Sequence, residues 1–103
     1  MTITYKDQSI SPLVAGVNTV YTAGTINEAK IDQAALFNTS ALNVSVTGTI
    51  NGGQYVSRIV PAGRSIVLHE ILNTTLKTGY IITFTPATAS VINLSLSIKE
   101  DTT

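Results

Sequence analysis

The chain has 103 residues, of which 44% are apolar and only 12% charged, with six basic residues balancing six acidic ones. That apolar content excludes a disordered chain. The charge balance removes the long-range steering that DNA, RNA or an anionic membrane would exert. The absence of cysteine excludes disulfides, a thiol nucleophile and thiolate metal sites.

The length fits one domain, in which folding buries roughly two thirds of the unfolded surface. With so few charges, the polar surface falls to 16 Thr and 9 Ser, residues that suit a pleated, half-buried sheet when they alternate with Val and Ile. A neutral protein is weakly protected against self-association. This hints at life in an assembly, although a Thr-rich soluble monomer fits the composition equally well.

Residues 1–12 read as an arm. "TITY" has the character of a short strand, and Pro12 interrupts it. The arm is either a frayed terminus or a strand that pairs with a neighbouring subunit. Its sequence has no basic segment followed by an apolar one and so is not a signal peptide. Apolar runs of about four residues fall far short of the roughly twenty of a membrane span. The expected product is soluble, made in the host cytoplasm, with neither a membrane nor a nucleic acid as partner.

Residues 13–100 read as a single domain. "LVAGVNTVYTA", 13–23, gives one or two strand pieces broken at Gly16. "GTINEAKIDQAALFNTS", 24–40, is a bulged strand in preference to a short helix. In "LNVSVTGTI", 42–50, Leu42, Val44, Val46, Gly48 and Ile50 share one face and Asn43, Ser45, Thr47 and Thr49 the other. Asn51-Gly52-Gly53 supplies the positive φ angles of a tight hairpin. "QYVSRIV", 54–60, returns antiparallel, with Tyr55, Ser57 and Ile59 on one face and Val56, Arg58 and Val60 on the other.

"PAG", 61–63, is a second turn. "RSIVLHEIL", 64–72, is expected as a strand with Ile66 and Leu68 inward, and "NTTLKTG", 73–79, as a loop. "YIITFTP", 80–86, aligns Tyr80, Ile82 and Phe84. "VINLSLSIKE", 91–100, aligns Ile92, Leu94, Leu96 and Ile98. Residues 101–103 are a polar, frayed tail. Seven or eight short strands with turns roughly every ten residues predict an all-β antiparallel sandwich or small barrel.

Chemistry-bearing groups are sparse. His69 is the one histidine. In a strand its neighbour Glu70 points to the opposite face, so His69 reads as a surface residue. One histidine and scattered carboxylates form no metal-ligand pattern, and neither a Gly-x-Ser-x-Gly elbow nor a phosphate loop occurs. Glu28, Asp32 and Glu70 read as solvated charges. Phasing sends most of the six aromatics to the core, away from any basic stripe. Arg58 and Arg64 flank the Pro-Ala-Gly turn and suit the rim of a protein contact. The expectation is no enzyme, no cofactor and no metal.

The run Asn38-Thr39-Ser40, the strand through Val44 and Val46, Val60-Pro61-Ala62-Gly63-Arg64-Ser65, Gly79-Tyr80-Ile81-Ile82 and the closing Glu100 together resemble small β-sandwich virion proteins of tailed bacteriophages, over about residues 17–100. The family includes capsid decoration (cement) proteins, head fibres and tail accessory proteins. The resemblance implies a jelly-roll-like sandwich, homo-oligomers (often trimers) and no catalysis. The Ala29–Leu36 stretch and the N-terminal arm depart from its pattern.

The leading functional expectation is a capsid decoration protein of the virion that binds the major capsid protein of the assembled head. A fibre- or tail-borne module for host glycans and a structural tail or collar component stay open beside it. Expected contact residues are Ile3 and Tyr5 in the arm, Asn51, Gly52 and Gly53 in the hairpin turn, Asn73 and Lys77 in the following loop, and Arg58 and Arg64.

Overall fold

A computed structural model describes residues 2–102; Met1 of the expected arm and Thr103 of the expected tail lie outside the described residues. The strands are β1 (Ile3–Asp7), β2 (Asn18–Thr22), β3 (Glu28–Asn38), β4 (Val44–Ile50), β5 (Gly53–Val60), β6 (Ser65–Val67), β7 (Thr75–Leu76), β8 (Ile81–Pro86) and β9 (Ile92–Asp101). One 3-10 turn, His69–Ile71, lies between β6 and β7.

All pairings are antiparallel, and they are nested. β4 pairs with β5 across two residues, β3 with β6 and β7, β2 with β8, and β1 with β9. Such a chain is one long hairpin. Rolling it up adds β3–β9 and β4–β8 pairs and produces two sheets, ordered β1-β9-β3-β6 (with β7 also on β3) and β2-β8-β4-β5. This is the strand order of a jelly roll, as the resemblance implied, within an all-β sandwich whose described residues form nine strands where seven or eight were expected.

The inner faces follow the alternation read from the sequence. Ile31, Leu36, Leu94, Leu96 and Ile98 of the first sheet meet Val46, Val56, Ile82 and Phe84 of the second in one core. The helix alternative for 24–40 is excluded: β3 is a strand whose register slips between Ile31 and Gln33, which leaves Asp32 and Gln33 both exposed.

Several expectations change. Ile3–Asp7 pairs with β9 of its own chain. Asp101 completes β9 rather than fraying. Leu13 is buried without being in a strand, and Leu42 is exposed ahead of β4. The 64–72 segment is a three-residue strand followed by the 3-10 turn. Its apolar spacing switches from two (Ile66, Leu68) to three (Leu68, Ile71), the period of a 3-10 turn. In the hairpin, Asn51 (φ 51°) and Gly52 (φ 85°) take the positive angles, whereas Gly53 already belongs to β5.

Buried polar groups close the two ends. Asn38, fully buried, donates to the carbonyls of Leu42 (2.7 Å) and Val60 (2.9 Å) and accepts from the Ser40 amide (2.8 Å). The first residue of the Asn38-Thr39-Ser40 run is thus a plug under the Pro61–Gly63 turn. Asn18 does the same for residues 14–16 and reaches the Phe84 carbonyl at 3.1 Å.

Candidate functional site

The outer face of the β2-β8-β4-β5 sheet is built by register. Thr19, Thr83, Thr49 and Gln54 form one row across the four strands. Thr85, Thr47 and Ser57 form the next, with Ser45 and Ile59 beyond them and Thr22 beside Ile81 on the other side. Thr suits these places because its branched Cβ packs on the pleat while its hydroxyl finds a neighbour, as the Thr49–Thr83 hydroxyl pair does. A register shift between Gly48 and Thr49 bulges β5 at Tyr55, whose ring lies against Gly53.

None of the six basic and six acidic residues stands on this face. Two large apolar side chains do: Ile59 (62% exposed) and Ile81 (40%); the exposed Tyr55 ring lies on the Gly53 side of β5, away from Gln54 and Thr49. The expectation that phasing hides most aromatics fails here. Tyr21 and Phe84 are buried and Tyr80 is half-buried, but Tyr5, Phe37 and Tyr55 are exposed.

The other sheet has a charged outer face. Ile3 and Tyr5 stand on it, opposite Asp101 and Lys99 respectively. A cleft of about 230 Å³ there is lined by Ile3, Glu28, Lys30, Lys99 and Asp101. Behind it lies a polar group that sequence reasoning missed. Glu100 is 2% exposed, accepts the Tyr21 hydroxyl from the opposite sheet, and pairs with Lys6 Nζ at 3.2 Å. Burial, reinforced by the Glu100 hydrogen bond and charge, pushes the Tyr21 hydroxyl well above the usual tyrosine range. Hydrogen bonds from the Ser9 side chain and backbone hold Asp7 below the usual carboxylate range. Glu100 continues the inward alternation of β9, which is the one sequence signal that could have found it.

The other expected contact residues scatter. Asn51 and Gly52 form the tip next to Ile81, since the Asn51 amide donates to the Ile81 carbonyl at 2.8 Å. Arg64 follows the Pro61–Gly63 turn at the far end of the β4–β5 pair. Arg58 is held by Glu70 at 3.0 Å in the 3-10 turn. Asn73 takes a positive φ and bonds the Ile31 carbonyl, and Lys77 follows β7. His69 is exposed. Among the described residues no group of three His, Cys, Asp or Glu side chains converges to hold a metal, and no helix is long and apolar enough to cross a membrane.

The strand order defines a jelly-roll sandwich with one uncharged and one charged outer face. No family model matches the chain, and no curated protein matches it. It is similar in structure to a chain of the T13 IBDV viral particle, with 16% identity and a TM-score of 0.42, over 95% of this chain and 30% of that one. The chain therefore spans about a third of that protein's length, and a likeness of this size carries no functional argument.

Proposed function

We propose that the chain is a non-enzymatic structural protein of a phage virion, a decoration protein that binds the assembled head through its major capsid protein and reinforces it. The observation that carries this reading is the uncharged outer face of the β2-β8-β4-β5 sheet. An isolated charge buried in a contact costs far more than a hydroxyl that finds a partner. A face of hydroxyls with Ile59 and Ile81 standing on it can be covered at little desolvation cost. The resemblance of the 17–100 stretch to small phage sandwich proteins supports the same role.

Binding only to the assembled shell stabilises that shell by mass action. A homo-oligomer, a trimer in the family it resembles, multiplies weak contacts into avidity. The hairpin tip at Asn51 and Gly52 borders the face and extends the proposed contact.

The test is co-sedimentation with undecorated heads, followed by heating of the particles. The wild-type chain is expected to bind and raise heat tolerance. Ile59→Lys and Thr47→Lys, which place a charge on the face, are expected to abolish binding with the fold intact, and His69→Ala to have no effect. Indifference to heads would overturn the reading. A second reading, host-glycan binding, is favoured by Tyr55, an exposed ring lying against Gly53 at the hairpin end of β5. Retention on a glycan column, lost in Tyr55→Ala, would establish it instead.

A further inference from the structure

The charged corner of the β1-β9-β3-β6 sheet sorts its charges by row. Register places Ile3, Asp101 and Glu28 side by side across β1, β9 and β3. It places Tyr5, Lys99 and Lys30 in the adjacent row, roughly 6.7 Å away along the strands. Like charges directly opposite one another destabilise a sheet. Two such pairs meet here, Glu28 opposite Asp101 and Lys30 opposite Lys99. Lys6–Glu100 and Arg58–Glu70 are ion pairs, and among the described residues Glu28, Lys30 and Lys99 take part in neither. The open cleft is lined by both rows.

An acidic row beside a basic row, each headed by an apolar residue on β1, is complementary to itself under one operation. Consider a two-fold axis lying in the plane of the face, parallel to the rows and midway between them. It turns a second copy over and lays that copy's first row on this chain's second. The partner's Asp101 then stands over Lys99, the partner's Glu28 over Lys30 and the partner's Ile3 over Tyr5. Each contact occurs twice, as an isologous interface requires.

We infer that this corner is the contact of a two-fold dimer of the chain. The occupant of the face is a second copy, selected by charge complementarity. The inference does not depend on the proposed head-binding role, because the uncharged face lies on the other sheet and stays open in such a dimer. Three residues in each of two rows are far fewer than the roughly 20–30 per side of a standard interface. The association is therefore weak and sensitive to salt. A two-fold contact cannot close a trimer, so it joins copies in pairs or links neighbouring trimers.

The test is sedimentation of the full chain over a range of concentrations at low and high salt, where the screening length falls from about 30 Å to about 3 Å. Paired association is expected at low salt and its loss at high salt. Lys99→Glu lays acid on acid and is expected to weaken association roughly tenfold or more. Lys99→Glu with Asp101→Lys exchanges the β9 column between rows, recreates the complementarity and is expected to restore association. Glu28→Lys with Lys30→Glu does the same in the β3 column and serves if the first pair fails to fold by circular dichroism. A chain that stays monomeric at low salt would overturn the inference. So would association indifferent to Lys99→Glu, or a folded exchange variant that fails to re-associate.

Discussion

Gly48 holds an inward position on β4 that a side chain would ordinarily fill. A Cβ there would lie 2.7 Å from Cε1 of Phe84 and 3.1 Å from Cβ of Val56, so the Phe84 ring already occupies its space. Overpacking a core costs about 1–3 kcal/mol. Gly48→Ala is expected to lose that much in urea unfolding, and Phe84→Leu in the same chain to recover part of it by shrinking the ring. Tyr21 gives a second residue-scale prediction, through pH. Its folded-state ionisation lies above its unfolded value of about 10. Its contribution is therefore fully present below about pH 10 and is lost as pH rises towards the folded value, because the unfolded chain sheds the proton first. Alkaline urea titration should show that decline, and Tyr21→Phe should remove it while lowering neutral-pH stability by about 1–3 kcal/mol. An unchanged alkaline slope in Tyr21→Phe would show that another group carries it.

At the scale of elements, β1 is exposed at every position. It is held by its ladder with β9, by Lys6 on Glu100, and by little apolar burial. Deleting residues 2–7 is expected to leave a folded sandwich weakened by about 1–3 kcal/mol. It would also bare β9, a ten-residue strand, as an open edge of the kind that seeds aggregation. Near-UV circular dichroism should persist while light scattering rises; loss of the near-UV signal would show that β1 is integral to the core. Elements of this kind also mark how far the sequence could be read. β4, β8 and β9 were legible because one buried and one wet face leave strict alternation in a single stretch. The pairing of β1 was not, because Ile3 and Tyr5 alternate with nothing buried and the partner lies some ninety residues away. The uncharged character of this face was legible from the Thr and Ser alternation. Its assembly from four strands was not, because register between distant strands leaves no mark in either one.

For the whole molecule, the nested pairing sets an order of assembly. β4 and β5 close across Asn51 and Gly52, both already in the positive-φ conformation that a two-residue hairpin needs. β1 and β9 join the two ends of the chain. Closing that outermost loop directly costs about 3 kcal/mol more entropy than closing the hairpin, by the logarithmic dependence on loop length. The cheapest route is to zip outwards, β4–β5 first, then β3 and β8 on either side, and the β1–β9 pair last. A fold dominated by such distant pairings is expected to form in milliseconds to seconds. The same order divides the effects of mutation. Gly52→Ala, which strains the hairpin turn, should slow folding and leave unfolding almost unchanged. Ile98→Val, in the late-forming β9, should speed unfolding and leave folding almost unchanged. Stopped-flow chevrons of the two variants measure this directly. Were Ile98→Val to slow folding as much as Gly52→Ala, the nucleus would include the chain ends, and the roll would close before its innermost hairpin is set.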